Sequence, residues 1–213
     1  MALRAWDMKW VIYETPVGIG ERAVMERSIL YVNACVREES RTRRLAEKLL
    51  ERLAEPYEEI CLEKISLPPV NEDYLKKRDR LIAEGDLQNP MFDLARQFSE
   101  ASAVVIAAPY WDLSFPAMLK QYLEQISVVG ITFKYSEDGV PVGLCRAGRL
   151  FYVTTAGGHY VPETFGFGYV KALAQNYYGI RDVRKIEAVG LDIVGADVEA
   201  IMRDAERALP GLE

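Results

Sequence analysis

The sequence predicts an open α/β fold: a doubly wound, five-stranded parallel sheet with helices on both faces. Three observations predict it. Apolar strand-like runs alternate with segments of helical spacing five times along the chain, the rhythm of right-handed strand–helix–strand units. Residues 104–108 are continuously apolar, as in a strand buried on both faces, and Pro109 ends the run because it has no N–H for a ladder. The 213 residues, 50% hydrophobic and 27% charged, suit one domain with a sizeable core.

The first strand is residues 28–33, Ser-Ile-Leu-Tyr-Val-Asn. The loop after it carries Arg37, Ser40 and Thr42 and enters a helix with Leu45, Leu49 and Leu53 on one face. Residues 58–62 alternate as a short second strand, closed by Leu67-Pro68-Pro69. Residues 71–84 are charge-rich, a surface helix or lid ended by Gly85, and Asn89-Pro90 opens another helix with Leu94, Ala95 and Phe98 inward. The third strand follows. Beyond it Ser114 is a candidate N-cap and Pro116 fits the first turn of a helix carrying Leu119, Tyr122, Leu123 and Ile126. Alternation around Asp138-Gly139 signals a hairpin inserted after that helix. Residues 149–155 form the fourth strand and run into Ala156-Gly157-Gly158-His159-Tyr160. A helix then includes Val170, Leu173 and Tyr177, with Gly179 just past its end. Residues 181–191 contain the fifth strand, and a last helix starts near Asp197 and stops at Pro210-Gly211.

Residues 1–27 precede this domain of residues 28–213. Their apolar residues are interspersed with Asp7, Lys9 and Glu14, unlike the clean apolar core of a secretion signal. They read as an arm on a partner subunit, an added edge element, or a start placed upstream of Met8 or Met25.

Net charge is −6 with no block of like charges, which argues against nucleic acid or an anionic membrane as partner. Three widely spaced cysteines without a CxxC read as reduced thiols of a cytoplasmic protein. One histidine, His159, and no ligand cluster argue against a metal site.

Three strand ends carry ligand signals. Arg37, Ser40 and Thr42 lie where a strand-end loop meets a helix N-terminus, a ready anion site with hydroxyl donors, although an ordinary capped helix has the same composition. Tyr110 and Trp111 place flat rings at the end of the third strand, where they suit a fused-ring ligand or simply cap a core or interface. Gly157 and Gly158 let backbone approach a ligand at the end of the fourth, or form a plain turn. In the strand order 2-1-3-4-5 these ends meet at the switch point, where a mononucleotide binds.

Residues 107–116 (Ala-Ala-Pro-Tyr-Trp-Asp-Leu-Ser-Phe-Pro), with Gly130-Ile131-Thr132-Phe133-Lys134-Tyr135 and Thr154-Thr155-Ala156-Gly157-Gly158, closely resemble the FMN-dependent NAD(P)H azoreductases and quinone reductases of the flavodoxin-like fold. The resemblance runs from Ser28 to the C-terminus. It implies non-covalent FMN, a homodimer with the site at the subunit interface, and ping-pong hydride transfer from NADH or NADPH to quinone, azo or nitroaromatic acceptors. Chemistry on the flavin needs no protein nucleophile, so no catalytic residue is singled out. By similarity Pro109, Tyr110, Trp111, Asp112 and Leu113 line the flavin ring, and Thr155, Gly157 and Gly158 cover its pyrimidine edge. Arg37, Ser40 and Thr42 hold the phosphate. Phe133, His159, Tyr160, Phe165 and Phe167 are candidates for the substrate pocket. Two other classes compete: a flavodoxin-like electron carrier docking on a protein, for which the inserted hairpin is surplus, and a flavin-free interaction domain on the same fold.

Overall fold

The computed structural model describes residues 28–211; the reading of residues 1–27 falls outside them. The elements are β1 (Ile29–Asn33), α1 (Arg41–Leu53), β2 (Tyr57–Cys61), α2 (Glu72–Ala83), α3 (Asp93–Glu100), β3 (Ala103–Ala107), α4 (Ala117–Ile126), β4 (Phe133–Tyr135), β5 (Pro141–Gly143), β6 (Arg149–Thr155), α5 (Phe167–Leu173), β7 (Asp182–Ala188) and α6 (Val198–Arg207). The parallel sheet has the order β2-β1-β3-β6-β7, and β4 and β5 form a separate antiparallel hairpin. This is the flavodoxin-like order expected, with the hairpin inserted between α4 and β6.

Every residue of β1 and β3 is buried, which explains why their sequences do not alternate. Alternate side chains serve opposite layers. Leu30, Val32, Val104 and Ile106 pack with Phe98, Tyr122 and Leu123 on the side of α3, α4 and α5. Ile29, Tyr31, Val105 and Val153 pack with Leu45, Leu49 and Met202 on the side of α1 and α6. Helix α1 owes its position to a stripe of five leucine and alanine residues, Leu45, Ala46, Leu49, Leu50 and Leu53, all buried.

Two local expectations are corrected. Ser114 does not cap α4: Pro116 occupies the N-cap position, and the Ser114 hydroxyl donates instead to the Phe165 carbonyl at 2.8 Å. Ser114 belongs to the tight turn before the helix, two residues too early to reach its first amides. The α5 segment is not α-helical to its end. It passes into a π turn, Ala174–Tyr178, closed by Gly179 at φ 79°. That turn carries Tyr177, whose ring meets Phe133 edge-on at 4.9 Å and seats the hairpin.

Candidate functional site

The site forms at the carboxyl ends of the three central strands. Register puts Asn33 of β1 beside Ala107 of β3, and Ala107 beside Val153 of β6. The loops that follow must therefore converge, although they lie far apart in the chain.

At the end of β1, the Asn33 side chain accepts from the Cys35 N–H at 2.9 Å and donates to Glu59 at 2.8 Å, turning the chain out of the sheet. Arg43 reaches back from α1 and donates to the carbonyls of Cys35, at 3.0 Å, and Glu38, at 3.4 Å. Ser40 caps α1, its hydroxyl accepting from the Arg43 N–H at 3.2 Å. The N–H groups of Arg41 and Thr42 then open a 13-residue helix without an intrahelical acceptor. Arg37 is exposed and, among the described residues, forms no ion pair. The loop thus presents helix-end amides, a hydroxyl and a cation, the donor set an anion needs.

Thr42 is placed differently from Arg37 and Ser40. It is 1% exposed, and its hydroxyl pairs with that of Thr155 at 2.6 Å, tying α1 to the end of β6. Cys35 lies in the same loop, where burial pushes its thiol up to about 11. It is neutral near pH 7 and a poor nucleophile.

At the end of β3, Trp111 and Ser114 exchange backbone hydrogen bonds of 3.0 and 2.8 Å around Asp112 and Leu113. Both central residues have positive φ, 49° and 70°, the pattern of a type I′ turn. Aspartate tolerates this region, whereas a leucine there costs about 1 kcal/mol or more. Among the described residues the amides of Asp112 and Leu113 take no backbone carbonyl. Trp111 and Leu113 are exposed beside them. Tyr110 turns the other way, and its hydroxyl is buried.

At the end of β6, Gly158 has open space where a Cβ would stand. Gly157 does not: a Cβ there would lie 2.3 Å from the Asp192 carboxylate. The closeness it permits is to the loop after β7, whose Asp192 N–H donates to the Gly157 carbonyl at 3.0 Å. Arg41 bridges the same loop, donating to Asp192 at 2.8 Å and to the Leu191 carbonyl at 3.4 Å. His159 packs its ring over Gly190, which has φ 78°.

The five pocket candidates separate. Tyr160 and Phe165 are 77% and 55% exposed on the loops after β6, and His159 is exposed with them. Phe133 and Phe167 are core residues, packed against Tyr177 and Tyr152. Sequence reasoning missed Asn33, Arg41, Arg43 and Asp192. Asn33 carried a usable signal, an Asx residue at the end of an apolar strand. A second cleft of about 820 Å³ lies at the opposite end of the sheet, lined by Glu58, Asp93, Arg96 and Arg146 of mixed charge, and none of the three loops reaches it. Among the described residues there is no cluster of three metal-ligating side chains, and no helix is long and apolar enough to cross a membrane.

Known proteins bear on this geometry. The sequence profile of the flavodoxin-like fold family matches residues 27–210. An FMN-dependent NADH:quinone oxidoreductase of Clostridium acetobutylicum is 38% identical over 188 residues, covering 83% of this chain and 92% of that protein. One of the same description from Clostridium perfringens is 34% identical over 191 residues, covering 85% and 96%. An FMN-dependent NADH-azoreductase of Bacillus anthracis, solved in complex with FMN, superposes with a TM-score of 0.71 at 24% identity, covering 86% of this chain and 97% of that one; at that identity the likeness is one of fold. With its sheet order, its convergent strand-end loops and these relatives, the chain belongs to the flavodoxin-like fold family, among the FMN-dependent quinone reductases and azoreductases.

Proposed function

We propose that the chain is an FMN-dependent oxidoreductase that takes a hydride from NADH or NADPH and delivers it to a quinone, azo or nitroaromatic acceptor by a ping-pong mechanism. The observation that carries this reading is the convergence of unpaired amides at one switch point: those of Arg41 and Thr42, of Asp112 and Leu113, and the open backbone at Gly158. FMN presents a phosphate at one end and a flat ring edged with acceptors at the other, and the donor sets match both ends. Bound there, FMN supplies the two-electron chemistry.

The residues of this chain supply position and polarity. Ser40, the first amides of α1 and the Arg37 guanidinium hold the phosphate. The amides of the strained turn face the ring edge, where donors stabilise negative charge as it develops. That role explains why a turn with leucine at positive φ is kept. Gly158 leaves room for the ring, and Thr155, fixed by Thr42, walls the pyrimidine side. Trp111 and Leu113 offer an apolar seat, and Tyr160 and Phe165 extend it toward the acceptor.

Purified protein should show an oxidised-flavin absorbance, release FMN on denaturation, and oxidise NADH only when a quinone is added. Colourless protein that fails to take up FMN overturns the reading, and flavin without quinone-dependent turnover favours an electron carrier. Trp111→Ala should loosen FMN by about 0.5–1.5 kcal/mol beyond the lost area and slow quinone reduction, since ring position sets hydride distance. A variant that melts much lower without FMN, yet binds FMN and turns over normally, would make Trp111 a purely structural residue.

The apolar side chains of Trp111, Leu113, Tyr160 and Phe165 are too many to leave in water on one rim. A second copy of the chain covers them in our reading, making the site interfacial. Light scattering at low micromolar concentration should give a dimer; an active monomer there contradicts it.

A further inference from the structure

Behind the aromatic turn, between β6 and residues 161–167, lies a narrow crevice. Its walls include Tyr110, Tyr152, Thr154, Gly166, Phe167 and Lys185. Two polar atoms on these walls, Tyr110 Oη and Thr154 Oγ1, are cut off from solvent and have no protein partner. Thr154 is 2% exposed. It lies near enough to Tyr152 to draw that phenol down against the larger upward push of burial, but forms no hydrogen bond with it. Lys185 is held by Glu163 at 2.8 Å and Glu187 at 2.9 Å and bonds neither hydroxyl.

A buried hydroxyl without a partner is costly, and native proteins satisfy nearly all of them. Two in one crevice point to a shared partner. The crevice offers about 10 Å³ to the centre of a water molecule, close to the least that admits one. Two hydroxyls are also the smallest set of partners that holds a buried water.

We propose that this crevice binds a single water molecule bridging Tyr110 Oη and Thr154 Oγ1, and that the bridge makes Tyr110 a positioning residue for the turn beside it. The main chain of Tyr110 is already fixed to β6, its N–H donating to the Thr155 carbonyl at 3.1 Å. With the ring tip anchored to the same strand, Tyr110 is held at both ends. The Ser114–Phe165 hydrogen bond holds the far side of the turn to the crevice's outer wall. Trp111, Asp112 and Leu113 stand between these anchors. The second half of the proposal rests on the flavin reading of those three residues; the first half does not.

The test uses the full chain. A crystal structure at a resolution that shows ordered solvent should place one water about 2.6–3.0 Å from both hydroxyls. Tyr110→Phe and Thr154→Val should each reduce the folding equilibrium constant several-fold, and the double variant should lose much less than the product of the two, because neither hydroxyl is then left unpaired. Thr154→Ser keeps the hydroxyl and loses only a buried methyl, so in its background Tyr110→Phe should again cost several-fold, as it does in the wild type and not in Thr154→Val. A dry crevice, hydroxyls bonded directly to each other, or multiplicative losses overturn the bridge. These readouts involve no flavin, so failure of the proposed activity cannot imitate failure of the bridge. FMN affinity tests the positioning role: it should fall several-fold in Thr154→Val and return in Thr154→Ser. A water present with FMN affinity equal in all three proteins overturns that role alone.

Discussion

Replacing Ser40 with aspartate is expected to strip the chain of FMN while leaving α1 intact. Aspartate caps a helix as well as serine does and places a negative charge where the helix dipole favours it. The fold should therefore melt at or slightly above the wild-type temperature. The same carboxylate would stand among the donors proposed for the phosphate. Two like charges about 4 Å apart at an effective dielectric of about 20 repel by roughly 4 kcal/mol. Partial exposure of Ser40 reduces that to about 2–4 kcal/mol, roughly a 30- to 1,000-fold loss of affinity. Titrating the variant with FMN and with riboflavin decides the matter, because riboflavin has the ring without the phosphate. Loss of FMN with riboflavin unchanged supports the assignment. Equal losses for both would place Ser40 away from the phosphate.

The second large effect is on stability. Gly143, in the hairpin, meets the π turn backbone to backbone: a Cβ there would lie 2.2 Å from Gly179 N and 2.2 Å from Tyr178 C. No side chain can swing aside, so Gly143→Ala must push β5 off the turn and pull Phe133 away from Tyr177. Overpacking of this kind costs about 1–3 kcal/mol, and in a domain of this size that lowers Tm by roughly 2–12 °C. Gly148→Ala is the matched control, since Gly148 has no atom within 4 Å of its Cβ direction. Urea unfolding of both variants measures the difference. Equal stability would mean that the hairpin docks without this contact.

The fold was legible because its strands are short runs buried on both faces, and because each helix carries one apolar stripe between turn residues. Strand order came with the flavodoxin-like fold that the sequence resembles, and three loops of ligand-binding character agree with it because that order makes their strands adjacent. What stayed hidden depends on tertiary context. Phe133 and Phe167 are pocket candidates in the sequence because they read as surplus aromatics in solvated loops, yet Phe133 opens β4 and Phe167 opens α5, where Tyr177 and Tyr152 help bury them; nothing local distinguishes a core phenylalanine from an exposed one there. The Arg41–Asp192 pair joins residues 151 apart in sequence, and neither has a neighbour that reveals the other. Gly157 was read as a point of ligand approach, whereas its missing side chain makes room for Asp192. Thr42 was read with Ser40 because the two flank a helix start. The helix turns it inward, where Thr155 is its partner.

The Thr42–Thr155 hydrogen bond links residues 113 apart in sequence, and this sets an order of events for the newly made chain. Synthesis proceeds from the N-terminus, so β1 and the loop proposed to hold the phosphate emerge long before β6, the strand that completes the proposed site. Until Thr155 has left the ribosome, the three central strands cannot stand side by side, and the Arg41–Asp192 contact must wait longer still. A nascent chain stalled in the β4–β5 hairpin holds two of the three loops and no enclosed site. Flavin capture at the proposed site must therefore wait until Thr155 and the strand that carries it have emerged.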